Sequence, residues 1–200
     1  MMKDTKTQAH NQLIVVVSGP SGVGKDSVVR RMLQRDRNLM FAVTTNTRSM
    51  REGEIEGKDY YFVSKSEFER MIRAGEFVEH ALVYGDHKGV TKTSINKAID
   101  SGRDVLLRVD VQGAATIKTI YENAILFFLM SESKEQLLGR LEGRRSETSE
   151  SMKERIATAV DEYTKKDVFD HIVVNRKNDL DSTAGMILET IKLERKRVLR

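Results

Sequence analysis

Apolar positions along the chain fall into short runs separated by stretches in which they recur every three or four residues. That alternation predicts a parallel sheet with crossover helices. The strand-like runs are LIVVV from Leu13, FAVTT from Phe41, DVLLRVD from Asp104, AILFFLM from Ala124 and HIVVN from His171. Helical patterns cover Asp26 to Gln34, Gln112 to Tyr121, Ser133 to Arg144, Ser151 to Lys166, and a charged segment from Leu180 onward. Two sections break the rhythm. From Thr44 to Gly102 the strand-like pieces DYYFV (from Asp59) and GEFVEHALVYG (from Gly75) flank a helix over Ser66 to Ala74, for which Ser64 and Glu67 form a capping box. This section is expected to be an inserted lobe on a small mixed sheet. The second, EGRRSETSES from Glu142, is polar and arginine-rich between two helices, the composition of a mobile lid.

Composition narrows the function classes. Two hundred residues suit one core carrying smaller insertions, and a net charge of +4 is far below that of a dedicated nucleic-acid binder. The absence of cysteine excludes disulfides and thiolate metal sites, and four scattered histidines offer no zinc spacing. No apolar run approaches the roughly 18 residues of a membrane span. Residues 1–12 are polar and lack arginine, so they are expected to be disordered and resemble neither a signal nor a transit peptide.

Chemistry concentrates first in SGPSGVGKDS, Ser18 to Ser27. Gly19, Gly24 and Lys25 have the spacing of a phosphate-binding loop between a strand and a helix. Glycines let the backbone amides curl inward, the helix adds its positive end, and the lysine reaches the outer phosphates. Pro20, Ser21, Gly22, Val23, Asp26 and Ser27 complete the expected nucleotide-phosphate cradle. Asp26 stands where a magnesium-binding hydroxyl is usual. At about 5 Å from one phosphate charge and an effective dielectric near 20, its repulsion would be about 3 kcal/mol, which an intervening magnesium ion would reverse. The second concentration is TTNTRSMREGEIEGKDYYFVS, where Arg48, Arg51 and Tyr60 form a clamp suited to a monophosphate.

These stretches resemble the guanylate kinase family, whose pattern reads closely as TRxxRxGExxGxDYxFV over Thr47 to Val63. EFVEH (76–80), VDVQGA (109–114), RLEGR (140–144), Arg155 and VVN ending at Asn175 extend the resemblance from about Leu13 to Asp181. It implies an α/β P-loop nucleoside monophosphate kinase with a core at 13–43, 103–132 and 156–200, a GMP-binding lobe at 44–102 and a lid at 133–155. The implied reaction is magnesium-dependent phosphoryl transfer from ATP to GMP, with dGMP as a second acceptor. By position, Arg48, Arg51 and Tyr60 would hold the GMP phosphate, and Thr44, Glu79 and Asp110 would recognise guanine. Lys25, Arg48, Arg140, Arg144 and Arg155 would be catalytic, and Asn175 would lie near adenine. A carboxylate accepts from guanine N1 and N2, whereas adenine presents an acceptor at N1.

The chain departs from that pattern at three places. Lys88 replaces a tyrosine of the GMP phosphate site, Val90 replaces a hydroxyl that touches guanine, and Arg108 replaces the first acid of an aspartate pair. One site gains an acid at Asp26 while another loses one at Arg108, an exchange that conserves local charge in number. These features look like the plant organellar guanylate kinases, which implies a plastid or mitochondrial address with a cytoplasmic one as the alternative. Two rival readings are a phosphopeptide-binding scaffold domain of guanylate-kinase type and a P-loop kinase with another nucleotide acceptor. Lys25, Arg140, Arg144 and Arg155 count against the first; Val90 and Arg108 favour the second.

Overall fold

The computed structural model describes residues 12–83, 85–133, 135–137, 139 and 149–198, with 149–155 and 198 described by backbone alone. Two sheets organise them. The larger is wholly parallel and comprises β1 (Ile14–Ser18), β2 (Leu39–Phe41), β7 (Asp104–Arg108), β8 (Ile125–Met130) and β9 (His171–Val174), in the order β2-β7-β1-β8-β9. The smaller is mixed and holds β3 (Thr45–Asn46), β4 (Tyr61–Phe62), β5 (Phe77–Val83) and β6 (Asp86–Thr91), in the order β4-β3-β6-β5.

The parallel strands read as continuous apolar runs because both faces are covered. Val15, Val17, Phe127 and Leu129 pack with Val28 and Met32 of α1 (Lys25–Arg35) and Ile187 of α6 (Leu180–Val198). Val16, Leu107, Leu126 and Phe128 face the other way, onto Ile95 of α3 (Lys92–Asp100) and Ile117 of α4 (Val111–Ile120). Because β1 sits between β7 and β8, the chain switches direction across the sheet at Ser18, and the crevice at the strands' C-terminal ends opens there. Ser18, Arg108, Met130 and Asn175 all lie at that edge.

Three local outcomes differ from the sequence pattern. The FAVTT run divides: Phe41 ends β2 in the large sheet, Ala42 still donates to Leu106 O, and Thr45 begins β3 in the small one. Thr44 is the crossing point, and its hydroxyl donates to Arg108 O at 3.3 Å. Second, β6 and α3 carry no clear signal, since DHKGVT is polar and buries only Gly89 and Val90 in a thin sheet. The start of α3 is set by Thr91, whose hydroxyl accepts from Ser94 N at 3.1 Å, and Ile95 and Ala98 then join the core cluster of Val105 and Leu107 of the large sheet with Val90 of the small one. Third, the capping box at α2 (Lys65–Arg73) is half formed: Ser64 Oγ accepts from Glu67 N, but the Glu67 carboxylate turns to Arg70. Further along the chain, α5 (Ser149–Thr164) leads to a 3-10 turn at Lys166–Val168 and into β9.

One buried charge fixes the start of β7, the strand that ends at Arg108. Asp104 is 1% exposed; it accepts from Leu13 N at 2.8 Å and pairs with Arg195 of α6. Removing only the arginine strands a carboxylate in the core. R195M is expected to destabilise the fold by about 3 kcal/mol. Adding D104N should recover most of that loss, as read from urea unfolding midpoints.

Candidate active site

The loop after β1 is shaped by close approach. A side chain on Gly19 would meet Leu129 O at 2.2 Å, so no larger residue fits against β8 there, and Gly19 holds φ at +133°. Gly24 takes a left-handed conformation and begins α1 with no side-chain cap, whereas Ser64, Thr91 and Asp110 cap α2, α3 and α4. The first amides of α1 are therefore directed at the crevice and unclaimed by a capping side chain, the arrangement that receives an anion. Lys25 Nζ donates to Gly19 O at 2.5 Å and Pro20 O at 2.9 Å. Burial lowers its pKa, opposed by the charges of Glu162, Asp26 and Asp110. The loop is braced from both sides: Ser21 N donates to Glu162 Oε2 at 3.3 Å, and Asn175 Nδ2 donates to Val23 O at 2.7 Å.

The small sheet presents the other wall. Arg48 Nη1 donates to Glu54 Oε2 at 2.7 Å and its other terminal nitrogen pairs with Glu54 Oε1, while Arg51 N donates to the same carboxylate at 2.8 Å. The Arg48 guanidinium also lies 5.0 Å from the ring centre of Tyr60 and 5.5 Å from that of Phe62. The Tyr60 ring thus has a cation against it within cation–π range. Arg48, Arg51, Tyr60 and Lys88 face Lys25, Asp26 and Ser27 across one cavity.

A deeper recess continues from it, lined by Thr44, Glu79, Lys88, Arg108, Asp110 and Glu162. Asp110 is partly committed, since its Oδ1 caps α4 by accepting from Gly113 N at 2.9 Å. Glu79 is 6% exposed, and a side chain on Gly113 would come within 2.7 Å of its Oε2. Burial, reinforced by the neighbouring Asp110, pushes the Glu79 carboxyl up to about 8. Lys88 is driven down to about 8 by burial and by the charge of Lys25. Val90 does not line the recess; it is wholly buried and lies opposite Glu79 in the β5/β6 register.

The sequence-derived residues thus converge, with distinctions. Ser21, Gly22, Gly24 to Ser27, Thr44, Arg48, Arg51, Tyr60, Glu79, Lys88 and Asp110 line the two-part cavity, whereas Gly19 and Pro20 accept from Lys25 and Val23 is buried in the core. Asn175 braces the loop through Val23. Arg140 and Arg144 lie outside the described residues, as does the side chain of Arg155 in α5. Asp26 and Arg108, the two positions of the charge exchange, are in direct contact, with Arg108 Nη1 3.1 Å from Asp26 Oδ1. Glu54, Asp59 and Glu162 are participants that residue-type reasoning passed over. Glu54 and Asp59 were visible inside the arginine motif; Glu162 is one acid on a mixed helix and left no signal.

The two shifted groups have a measurable consequence for stability. Folded Glu79 titrates near 8, against about 4.3 in an unfolded chain, so the folded state binds more protons between those values and stability falls as pH rises through them. Lys88 works oppositely: between about 8 and about 10.4 the unfolded state binds more protons, and stability rises with pH. Urea midpoints measured from pH 5 to 10 should show a smaller fall below pH 8 in E79Q. The rise above pH 8 should be smaller in K88M.

Comparison with known proteins agrees with this geometry. The family model described as guanylate kinase matches residues 11–194. The chain is 45% identical to the rice (Oryza sativa subsp. japonica) protein named guanylate kinase 2, chloroplastic/mitochondrial, over 93% of this chain and 66% of that protein. It is 38% identical to the guanylate kinase of Lactococcus lactis over 94% of this chain and 91% of that one. The crystal structure of guanylate kinase from Anaplasma phagocytophilum superposes with a TM-score of 0.76 at 32% identity, covering 92% of this chain and 86% of that one. With the phosphate loop, arginine clamp and acidic recess assembled around one cavity, the chain belongs to the guanylate kinase family.

Proposed function

We propose the following division of labour for the transfer of the terminal phosphoryl group of ATP to GMP, the reaction that this member of the family carries out. The Gly19 to Ser27 loop and the open start of α1 hold the donor phosphates, and Lys25 turns from the loop carbonyls to the phosphate being transferred. Arg48, Arg51, Tyr60 and Lys88 hold the GMP phosphate opposite it. Glu79 and Asp110, with Thr44, accept the N–H groups of guanine in the deeper recess. Such a transfer needs alignment and charge neutralisation more than covalent help. The lid arginines Arg140, Arg144 and Arg155 complete the screen of positive charge and exclude water.

The observation that carries this reading is the facing of two phosphate sites, Lys25 with Asp26 and Arg48 with Arg51, across one cavity that ends in two carboxylates. Guanine donors favour the ionised form of Glu79, so binding GMP below pH 8 releases a proton. The acceptor panel GMP, dGMP, AMP, UMP and CMP should show a preference for guanine of at least about 100-fold in kcat/KM. E79Q should erase most of it, and a wild-type enzyme indifferent to the base would overturn the assignment.

Magnesium accompanies ATP in this scheme. Among the described residues no cluster of three or more acidic or histidine side chains could hold a metal by itself. Magnesium is commonly held by one or two carboxylates together with substrate phosphates and water, and Asp26, half-exposed at the loop, is a donor of that kind. When bound, the ion neutralises charge on the donor phosphates; Asp26 would hold it while Arg108 holds Asp26. D26S is expected to raise the magnesium concentration required for half-maximal rate. An unchanged requirement would remove Asp26 from the metal site.

A plastid or mitochondrial address is part of the same proposal, supported by the 45% identity to the rice protein whose name carries that address. No helix of the described residues is long and apolar enough to cross a membrane.

A further inference from the structure

Arg108 is engaged on every side. Its Nη1 lies 3.1 Å from Asp26 Oδ1 in the first turn of α1, and its Nη2 donates to the backbone carbonyl of Asp59 at 2.7 Å. Its guanidinium carbon is 5.0 Å from the ring centre of Phe41 and 4.2 Å from that of Tyr60. The residue is 5% exposed. A planar guanidinium presents its donors in a fixed fork, so it sets the positions of two partners relative to one another, which a lysine ammonium on a flexible stem does not.

The two partners belong to opposite walls of the cavity. Asp26 is on the donor loop, and Asp59 immediately precedes Tyr60 of the acceptor clamp. A second tie reinforces the first, since Arg30 of α1 donates to Asp59 Oδ1 at 2.9 Å. Asp59 is therefore bound to the donor side through both its carboxylate and its carbonyl. A cation that served only to neutralise Asp26 would not need the Asp59 carbonyl or the Tyr60 ring.

We propose that Arg108 is a positioning residue that couples the two substrate sites, holding Asp26 of the donor loop and Asp59–Tyr60 of the acceptor lobe in one array so that ATP and GMP each favour the binding of the other. The inference rests on the assignment of the cavity to those two nucleotides. ATP orders the loop and Asp26; through Arg108 that order reaches Tyr60, and the acceptor phosphate then loses less freedom on binding. Linkage requires the same factor in the reverse direction.

The test is equilibrium binding by calorimetry on the full chain, with GMP and the non-hydrolysable β,γ-methylene analogue of ATP in excess magnesium. The coupling factor is the ratio of GMP dissociation constants without and with the analogue. In the wild type it should be at least about fivefold, the lower end of ordinary coupling, and equal when the roles of the ligands are exchanged. R108M should bring it to within twofold of unity and weaken the analogue, because Asp26 loses the guanidinium paired with it. D26N/R108M should regain affinity for the analogue without regaining coupling. R108K, which keeps the charge and so protects the fold, should also lose most of the coupling.

Full coupling in R108M, in the double variant or in R108K would overturn the proposal. So would an R108M protein that loses thermal stability and weakens both nucleotides equally while retaining the coupling factor, the signature of a merely structural residue. A wild type that binds both nucleotides independently defeats this inference alone; one that binds neither defeats the assignment of the cavity as well.

Discussion

Cations brought together in a buried cavity before any phosphate arrives repel one another and lose hydration, and the whole site is organised by that constraint. Lys25, Lys88, Arg48, Arg51 and Arg108 share one crevice. The fold answers by giving the stronger members resident partners. Arg48 is clasped by Glu54, Arg108 by Asp26, and Lys25 by the loop carbonyls and the field of Glu162. Burial still lowers the pKa of both lysines, that of Lys88 to about 8. The same accounting applies to anions: Glu79, crowded by Asp110 in the recess, responds by holding its proton.

Glu54 and the loop carbonyls are local partners, but Asp26 meets Arg108 and Glu162 reaches the Lys25 loop only through the fold's topology. Parallel strands deliver their C-terminal ends to one edge, so Ser18, Arg108 and Asn175 arrive together from strands far apart in the chain. The crossing at Thr44 then swings the small sheet over that edge. Two hydrogen bonds to Asp59, one from α1 and one from the end of β7, set how the small sheet faces the loop. A change in the large sheet is therefore felt in the acceptor clamp, and Asp104, buried at the opposite end of β7, is part of the same support.

The large sheet and the loop were legible in sequence because their signals are local: continuous apolar runs, and glycines at a spacing that only close backbone approach requires. The small sheet was less so. A strand such as DHKGVT, one layer thick, has no alternation to betray it, and the helix after it announces itself by little more than Thr91. The FAVTT run misled because β-propensity does not say to which sheet a residue belongs. Individual site residues were readable by type and motif, but not their engagements. Nothing in the spacing of Asn175 shows that it holds Val23, and nothing in one acid on α5 shows that Glu162 reaches the loop amide of Ser21.

The Asp26 and Arg108 pair shows how such a departure can be accommodated. An aspartate alone at the phosphate loop opposes an incoming nucleotide, and an arginine alone at the end of β7 adds to a crowd of cations. Together they form an ion pair with one member 46% exposed on its side chain and the other 5%. The asymmetry matters: the guanidinium lies over the Phe41 and Tyr60 rings in the interior, while the carboxylate it holds is half-exposed to solvent. A buried cation with a half-exposed counter-charge keeps the loop balanced and leaves the carboxylate within reach of a metal ion accompanying the phosphates. Either residue by itself would be a fault in the electrostatics of the loop; as neighbours each offsets the other.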